Sequence, residues 1–254
     1  MGYNHYIMSH ATPLPPALTA KGVRIVRPRD GADTYYNPTA NFRRLVEAGL
    51  LIRVARGYYA IPPRDAVSST GWRPTPEAVA LGIGIADYGR DSVALSGISA
   101  ARVLGVLPRA IAAAVISAPV RRPRVNTIVG PVEFWHRDIA DVETRKARTE
   151  LATGWSTTAP QTLVDLADRP SLAGVDPSTV SETMWDLAPR VDWTEVHRIS
   201  EKRRRRAAYA RAVWVCAGLV ADAVPPPRRG RPVPAKGLQS WSKADPSVFG
   251  ISND

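Results

Sequence analysis

The strongest pattern of apolar and polar positions lies in residues 37–62, where a helical period gives way to a strand period. The apolar positions of the first part recur at helical spacing: Phe42, Leu45, Val46 and Leu50. This spacing predicts a helix over Thr39–Ala48 with one apolar face. Asn37 or Thr39 is expected to cap its start, and Gly49 stands where helices commonly end in a left-handed residue.

The second part of this stretch has the pattern of a β-hairpin. Leu50–Ala55 and Tyr58–Ile61 both follow a strand period, and Arg56–Gly57 between them is suited to a tight turn. Pro62 and Pro63 then end the second strand. A helix followed by a two-stranded arm is typical of the second half of a winged helix-turn-helix.

The polar face of the predicted helix carries side chains that read base edges in the major groove of DNA. With the apolar positions turned inward, Asn41, Arg43 and Arg44 face outward; asparagine pairs with adenine and arginine with guanine. Arginines on the hairpin and before the helix are expected to contact phosphates or a minor groove. The residues predicted to contact DNA are Lys21, Arg24, Arg27, Arg29, Thr39, Asn41, Arg43, Arg44, Arg53, Arg56 and Tyr58. The alternative is that the arginines form a solvated face on a packing module.

The sequence RRLVEAGLLIRVARGYYAI resembles the end of the DNA-binding domain of AbiEi-type antitoxins, the regulators of type IV (abortive infection) toxin–antitoxin systems in bacteria. The residues that carry the resemblance are Leu45, Gly49, Leu51, Arg53, Val54, Gly57 and Tyr59. The resemblance implies a transcriptional autorepressor that binds inverted repeats in its own promoter. It also implies that the protein opposes a co-encoded nucleotidyltransferase toxin.

The preceding segment predicts a short helix over Leu14–Ala20 and a short strand over Gly22–Arg27. After residue 76 the patterns predict helices over residues 76–89, 96–104, 159–167, 176–187 and 192–220. They predict strands over Val93–Leu95, Ala112–Ala118, Val125–Trp135 and Trp155–Thr158. We therefore expect an α+β protein, with an N-terminal winged helix-turn-helix followed by a larger mixed α/β domain. The expected boundaries are 1–62 for the DNA-binding domain, 63–76 for a linker, 77–224 for the C-terminal domain and 225–254 for a proline- and arginine-rich tail.

A second segment of the chain also resembles the AbiEi-type antitoxins. It joins a Ser-x-x-Ser-Ala motif at Ser96–Ala100 to a Thr-Thr-x-x-x-Thr-Leu-x-Asp-Leu motif. The second motif is formed by Thr157, Thr158, Thr162, Leu163, Asp165 and Leu166. A threonine is expected to cap the helix, the leucines to be buried, and Asp165 to bond to neighbouring structure. We interpret both motifs as fold-defining rather than catalytic.

The composition of the chain indicates its size class and the kind of partner that it binds. The chain has 254 residues, 44% of them hydrophobic, which is enough for two modest cores. Its formal net charge of +11 favours a polyanionic partner such as duplex DNA, although a membrane surface would also attract it. No apolar run has the length of a membrane span, and from their polar and aromatic composition we do not expect residues 1–10 to be a signal peptide. We expect a cytoplasmic protein that is a monomer in solution and pairs cooperatively on DNA.

Catalytic patterns are weak. The four histidines lack the spacing of metal ligands, the chain has one cysteine, Cys216, in an apolar stretch, and we expect no metal, cofactor or catalytic site. Asp138, Asp141, Glu143 and Lys146 could be imagined as a nuclease site, but an acidic turn followed by a basic one is also what a helix dipole favours.

One further basic run has several interpretations. Arg203, Arg204, Arg205 and Arg206 are consecutive within the predicted last helix, so they cannot all face one way. The run is either a solvated face, a second contact to DNA backbone, or a basic surface for an acidic toxin or RNA. The alternative to a DNA-binding antitoxin is a basic protein- or RNA-interaction module without sequence-specific DNA binding.

Overall fold

The computed structural model describes residues 14–20, 22–63, 71–107, 111 and 113–220. Within these ranges the chain is a mixture of helices and sheet, which confirms the predicted α+β class. The helices are α1 (Pro16–Thr19), α2 (Pro38–Glu47), α3 (Pro76–Tyr88), α4 (Gly97–Val103), α5 (Ala159–Asp168), α6 (Pro177–Leu187), α7 (Trp193–Lys202) and α8 (Arg206–Val220). The strands are β1 (Ile25–Val26), β2 (Ile52–Ala55), β3 (Tyr58–Ala60), β4 (Ala94–Leu95), β5 (Ala114–Ala118), β6 (Val125–Thr127), β7 (Gly130–His136), β8 (Thr144–Arg148) and β9 (Thr153–Thr157).

The helices begin where local capping chemistry places them. Asn37 accepts a hydrogen bond from the amide of Ala40 at the start of α2, and Thr75, Thr158 and Asp176 cap α3, α5 and α6 in the same way. Each of these four helices has proline in its first turn, where the missing amide hydrogen is not needed. These starts agree with the sequence predictions.

The first part of the chain folds around a small antiparallel sheet of order β1–β3–β2. Side chains alternate between its two faces, as the period of a strand requires. On one face Val26 and Ile61 pack against Phe42 and Leu45 of α2. On the other face Ile25 and its neighbours pack against α3. The sheet is therefore sandwiched between α2 and α3.

The larger part contains a mixed sheet of order β6–β7–β5–β4–β9–β8 within the described residues. β5 runs parallel to β7 and β4 runs parallel to β9, while the other pairs are antiparallel. α3 packs on this large sheet and also contacts the small sheet. The helices α4 to α8 form a second apolar core, which includes Leu163 of α5, Met184 of α6 and Trp135 of β7.

Three local predictions were wrong. The stretch Val125–Trp135 is a hairpin of β6 and β7 rather than one strand. The predicted helix 192–220 is broken into α7 and α8, with Arg204 in the left-handed region at φ 55°. The segment after Asp138, where the order of acidic and basic residues favoured a helix, is instead a short 3-10 turn capped by that aspartate and followed by β8. β8 pairs with β9, so a tertiary contact replaces the local preference.

The two motifs of the second resemblance are joined by a buried polar network. Asp165 accepts hydrogen bonds from both Nη atoms of Arg137, at 2.7 and 2.5 Å. Arg137 Nε donates to Ser117 Oγ at 2.6 Å, and that hydroxyl lies 2.7 Å from Ser96 Oγ. The Arg137 and Asp165 side chains are 5% and 2% exposed. Asp165 therefore bonds neighbouring structure as predicted, and the network ties α5 to the sheet.

Candidate nucleic-acid interface

α2 presents its polar face to solvent because the small sheet separates it from the larger part. Phe42 and Leu45 are buried against the sheet, and the Phe42 ring meets the Tyr59 ring edge-on at a centroid distance of 5.1 Å. Arg43 and Arg44 are exposed. Because Phe42 and Leu45 face the small sheet, the opposite, polar face of α2 points away from the sheet and from α3 behind it.

The start of α2 carries further polar side chains. Thr39 is exposed, and Asn41 is half-buried. The Asn41 amide donates one hydrogen bond to the carbonyl of Asn37 at 2.9 Å. An asparagine side chain has a second N–H and a carbonyl oxygen, so this bond leaves it able to pair with an adenine edge. Tyr36, just before the helix, is fully exposed and is not among the residues predicted from the sequence to contact DNA.

The hairpin is the arm that the sequence predicted. Arg53 pairs with Tyr59 across the strands, and the register then shifts so that Ala55 faces Tyr58. Gly57 has φ 81° in the turn, a conformation that glycine adopts without strain. Arg53 and Arg56 are exposed. Both guanidinium groups are therefore available at the surface of the arm.

A cluster around Asp87 binds this arm to the larger part of the chain; we call it the Asp87 cluster. Asp87 lies on α3 with its side chain 7% exposed. It receives hydrogen bonds from Arg27, from Tyr58 Oη at 2.6 Å and from Arg122 Nη1 at 2.5 Å. Arg29 approaches the same carboxylate at 3.8 Å and donates to the carbonyl of Ala86.

The Asp87 cluster holds three cations around one anion. Burial alone would lower the pKa of Arg122, but its hydrogen bonds with Tyr58 and Asp87 outweigh burial and raise that pKa. Burial, helped by the hydrogen bond to Asp87, raises the pKa of the Tyr58 hydroxyl. Arg122 therefore stays protonated and Tyr58 stays neutral at neutral pH. Three arginines thus surround a single aspartate in the cluster.

Several residues predicted to contact DNA have internal partners. Tyr58 is buried, at 6% exposure, and its hydroxyl is bound to Asp87, which argues against the predicted DNA contact. Arg24 donates to the carbonyl of Pro62, and Arg27 is held by Asp87. Arg29 keeps 57% of its side chain exposed. Lys21 lies outside the described residues, as does the tail 225–254.

The run Arg203–Arg206 forms the break between α7 and α8. Arg203 donates to the carbonyl of Asp141, Arg205 lies 3.5 Å from Asp168, and Arg206 pairs with Glu201. These contacts surround the break, where Arg204 has φ 55°. They favour a structural interpretation of the run over a second DNA or toxin surface.

The acidic residues that resembled a nuclease site are used locally. Asp138 caps its own turn, and Glu143 lies 3.2 Å from Arg198. Lys146 is an exposed residue on β8. Among the residues that the structure describes, no group of three histidine, cysteine, aspartate or glutamate side chains is arranged to hold a metal ion. No helix in the described ranges is long and apolar enough to cross a membrane.

Comparison with known proteins finds a family match within the first part of the chain. Residues 15–62 match the family described as "Transcriptional regulator, AbiEi antitoxin". No curated protein matches the chain. The matched range runs from α1 to the end of the hairpin, so the resemblance predicted from the hairpin motif is confirmed there. The match does not extend to the motifs at Ser96 and Asp165.

Proposed function

Since residues 15–62 match a family of transcriptional regulators, we propose that the first part of this chain is a winged helix-turn-helix that binds duplex DNA. The order α1, β1, a 3-10 helix (Pro28–Gly31), α2, β2, β3 with sheet order β1–β3–β2 supports this assignment. In it α2 is the recognition helix and the β2–β3 hairpin is the wing. The observation that carries the proposal is the outward polar face of α2, which is separated from the rest of the protein by the small sheet.

The dimensions of α2 suit a major groove. A helix with its side chains is ~10–12 Å across, close to the ~12 Å width of the major groove of B-DNA. Arg43 and Arg44 would reach guanine edges and Asn41 an adenine edge, while Thr39 is placed at the helix start where phosphates pass. Tyr36 is exposed beside that start, so its hydroxyl can donate to the same backbone.

The wing and the segment before α2 supply charge that does not depend on base sequence. Arg53 and Arg56 are exposed on the hairpin and would contact phosphates or enter a minor groove. Arg29 is the most exposed of the arginines around Asp87 that precede α2. Arg24 and Arg27 contribute to the local field while held by Pro62 and Asp87.

The family description also supports a regulatory role within a toxin–antitoxin operon. We propose that the protein represses its own promoter by binding inverted repeats, with two copies pairing cooperatively on the DNA. The toxin that it opposes would be a co-encoded nucleotidyltransferase. Co-expression of the neighbouring gene with and without this chain tests this part: the antitoxin role requires that growth arrest be relieved by the chain.

The DNA-binding role is tested by fluorescence anisotropy with the upstream intergenic duplex and a scrambled duplex of the same length. Asn41→Ala and Arg44→Ala are expected to cost about 1–3 kcal/mol each on the intergenic duplex and little on the scrambled one. Arg53→Ala and Arg56→Ala are expected to weaken both duplexes and to lower the salt slope by about 1 each. Lys146→Ala, on the edge strand β8, is the control for loss of one exposed charge. Equal affinities for all variants would refute these roles.

A further inference from the structure

The larger part of the chain places a second basic loop beside the wing. Residues 119–124, between β5 and β6, have the sequence Pro-Val-Arg-Arg-Pro-Arg and contain no acidic residue. Arg121 is exposed, and the Arg124 side chain is 63% exposed, with its nearest carboxylate, on Glu133, at 4.0 Å. None of its residues is among those predicted from the sequence to contact DNA.

The Asp87 cluster fixes the position of this loop relative to the wing. Arg122 is bound to Asp87 at 2.5 Å, lies 3.5 Å from Tyr58 Oη and stacks over the Phe134 ring at 4.4 Å. Tyr58 is the first residue after the wing turn, so the loop and the wing tip share one anchor. The guanidinium of Arg122 is thereby used internally, and its neighbours Arg121 and Arg124 are left facing solvent.

A second contact ties the same region to the outer strand of the wing. The amide of Ile128, in the turn between β6 and β7, donates to the carbonyl of Val54 in β2 at 2.9 Å. β6 begins one residue after Arg124, so this contact and the Asp87 cluster hold both ends of a short segment against the wing. The loop cannot move away from the wing without breaking one of them.

From these contacts we infer that loop 119–124 is a second phosphate-backbone contact on the DNA, made by Arg121 and Arg124 beside the wing. The inference rests on the proposed DNA-binding function. These two exposed arginines, on a loop anchored at Tyr58 and Val54, add positive charge beside the hairpin that already carries Arg53 and Arg56. The contact is independent of base sequence, because guanidinium groups on a loop pair with phosphates wherever the backbone passes.

The chain offers a matched control on the opposite edge of the large sheet. Arg145 and Lys146 are exposed on β8, and β8 is separated from β6 by five strand intervals. At ~4.8 Å per interval this is ~24 Å, well beyond the Debye length of about 10 Å at 0.1 M salt. Arg145→Ala/Lys146→Ala therefore removes the same two charges at a place that the inferred contact does not include.

The experiment measures the affinity of the full chain for the upstream intergenic duplex as a function of salt concentration. Wild type is compared with Arg121→Ala/Arg124→Ala, with Arg145→Ala/Lys146→Ala and with Arg43→Ala/Arg44→Ala, after thermal unfolding has shown unchanged stability. Loss of two phosphate contacts makes the slope of log K against log salt shallower by about 1.8. On a tenfold fall in salt concentration, wild-type affinity then rises about 60-fold more than that of the loop variant.

The outcomes separate the inference from the proposed function. A shallower slope for the loop variant and a wild-type slope for the β8 variant support the contact. If wild type binds and Arg43→Ala/Arg44→Ala weakens binding, but the loop and β8 variants have the same slope, the inferred contact is refuted. If wild type does not bind the duplex, the proposed function itself fails. A loop variant that loses affinity for single-stranded RNA but not for duplex DNA would overturn the inference in favour of an RNA surface.

Discussion

Replacing Asp165 with alanine tests how the larger part of the chain is held together. The substitution leaves Arg137 buried with both Nη atoms deprived of their acceptor, and it also removes the carboxylate that accepts from Gln161 Nε2 at 2.8 Å. Removing one partner of a buried pair costs about 3–5 kcal/mol, mainly because the remaining charge has no compensation. Whole domains are stable by about 5–15 kcal/mol, so the loss is a large fraction of the total.

The assay is urea unfolding followed by circular dichroism and tryptophan fluorescence. Trp135 is a suitable reporter because the Arg137 guanidinium stacks on its ring at 3.9 Å. With a slope of about 2 kcal/mol per molar urea, a loss of 4 kcal/mol lowers the midpoint by about 2 M. The control is Asp168→Ala, which removes a carboxylate of the same helix whose partner Arg205 is 47% exposed and 3.5 Å away. A partly exposed pair of this kind contributes about 0–1 kcal/mol.

A double-mutant cycle sharpens the test. Arg137→Met combined with Asp165→Ala removes the stranded charge, so the double variant should be more stable than Asp165→Ala alone. If Asp165→Ala lowers stability by no more than Asp168→Ala does, the buried network is not what ties α5 to the sheet, and the structural interpretation of the motif is wrong.

Two further predictions concern the contact between the first part of the chain and the larger part, and a third concerns the buried thiol of Cys216. Gly82→Ala on α3 is expected to destabilise the folded protein by about 1–3 kcal/mol, although alanine favours helices, because the new Cβ would collide with Cγ1 of Ile25 on β1. Combining it with Ile25→Ala should remove part of this cost in thermal unfolding. If the effects of the two substitutions on stability simply add, the contact is refuted. Tyr58→Phe is expected to cost about 0.5–1.5 kcal/mol through the lost bond to Asp87 without changing DNA affinity, so a large loss of affinity at unchanged stability would restore the predicted DNA contact. Burial raises the pKa of Cys216 to about 12, so at pH 8 a disulfide reagent should react with this thiol only when denaturant is added, and rapid labelling of the native protein would contradict its burial.

The elements that the sequence predicted well are those with strong local signals. α2 has a capping asparagine, an apolar face of helical period and a glycine in the left-handed region at its end, with φ 72° at Gly49. The wing has a glycine that accepts the positive φ of its turn. These signals lie within a few residues of the structure they specify, so one sequence is sufficient to detect them.

The elements that were missed depend on contacts between distant residues. The break before α8 is held by Arg203, which donates to a carbonyl at Asp141, sixty-two positions earlier. β8 forms because β9 offers it a partner, and its sequence of four polar residues around Ala147 carries only a weak strand signal. A propensity argument cannot anticipate either contact.

The candidate interface shows the same division. The outward position of Arg43 and Arg44 followed from the helical period. The helical period could not show which of the other arginines are free to contact DNA, because Asp87 binds Arg27 and Arg122 from positions sixty and thirty-five residues away. The sequence therefore did not show that Arg27 has an internal partner, and it did not assign the loop at Arg121.

The most direct test of the central claim is footprinting of the chain's own promoter with wild type and with Arg43→Ala/Arg44→Ala. If α2 reads the duplex with its outward face, wild type protects an inverted repeat upstream of its gene. The double variant then loses that protection while its thermal stability is unchanged. Absence of a protected site for wild type, or an identical footprint for the variant, would contradict the account.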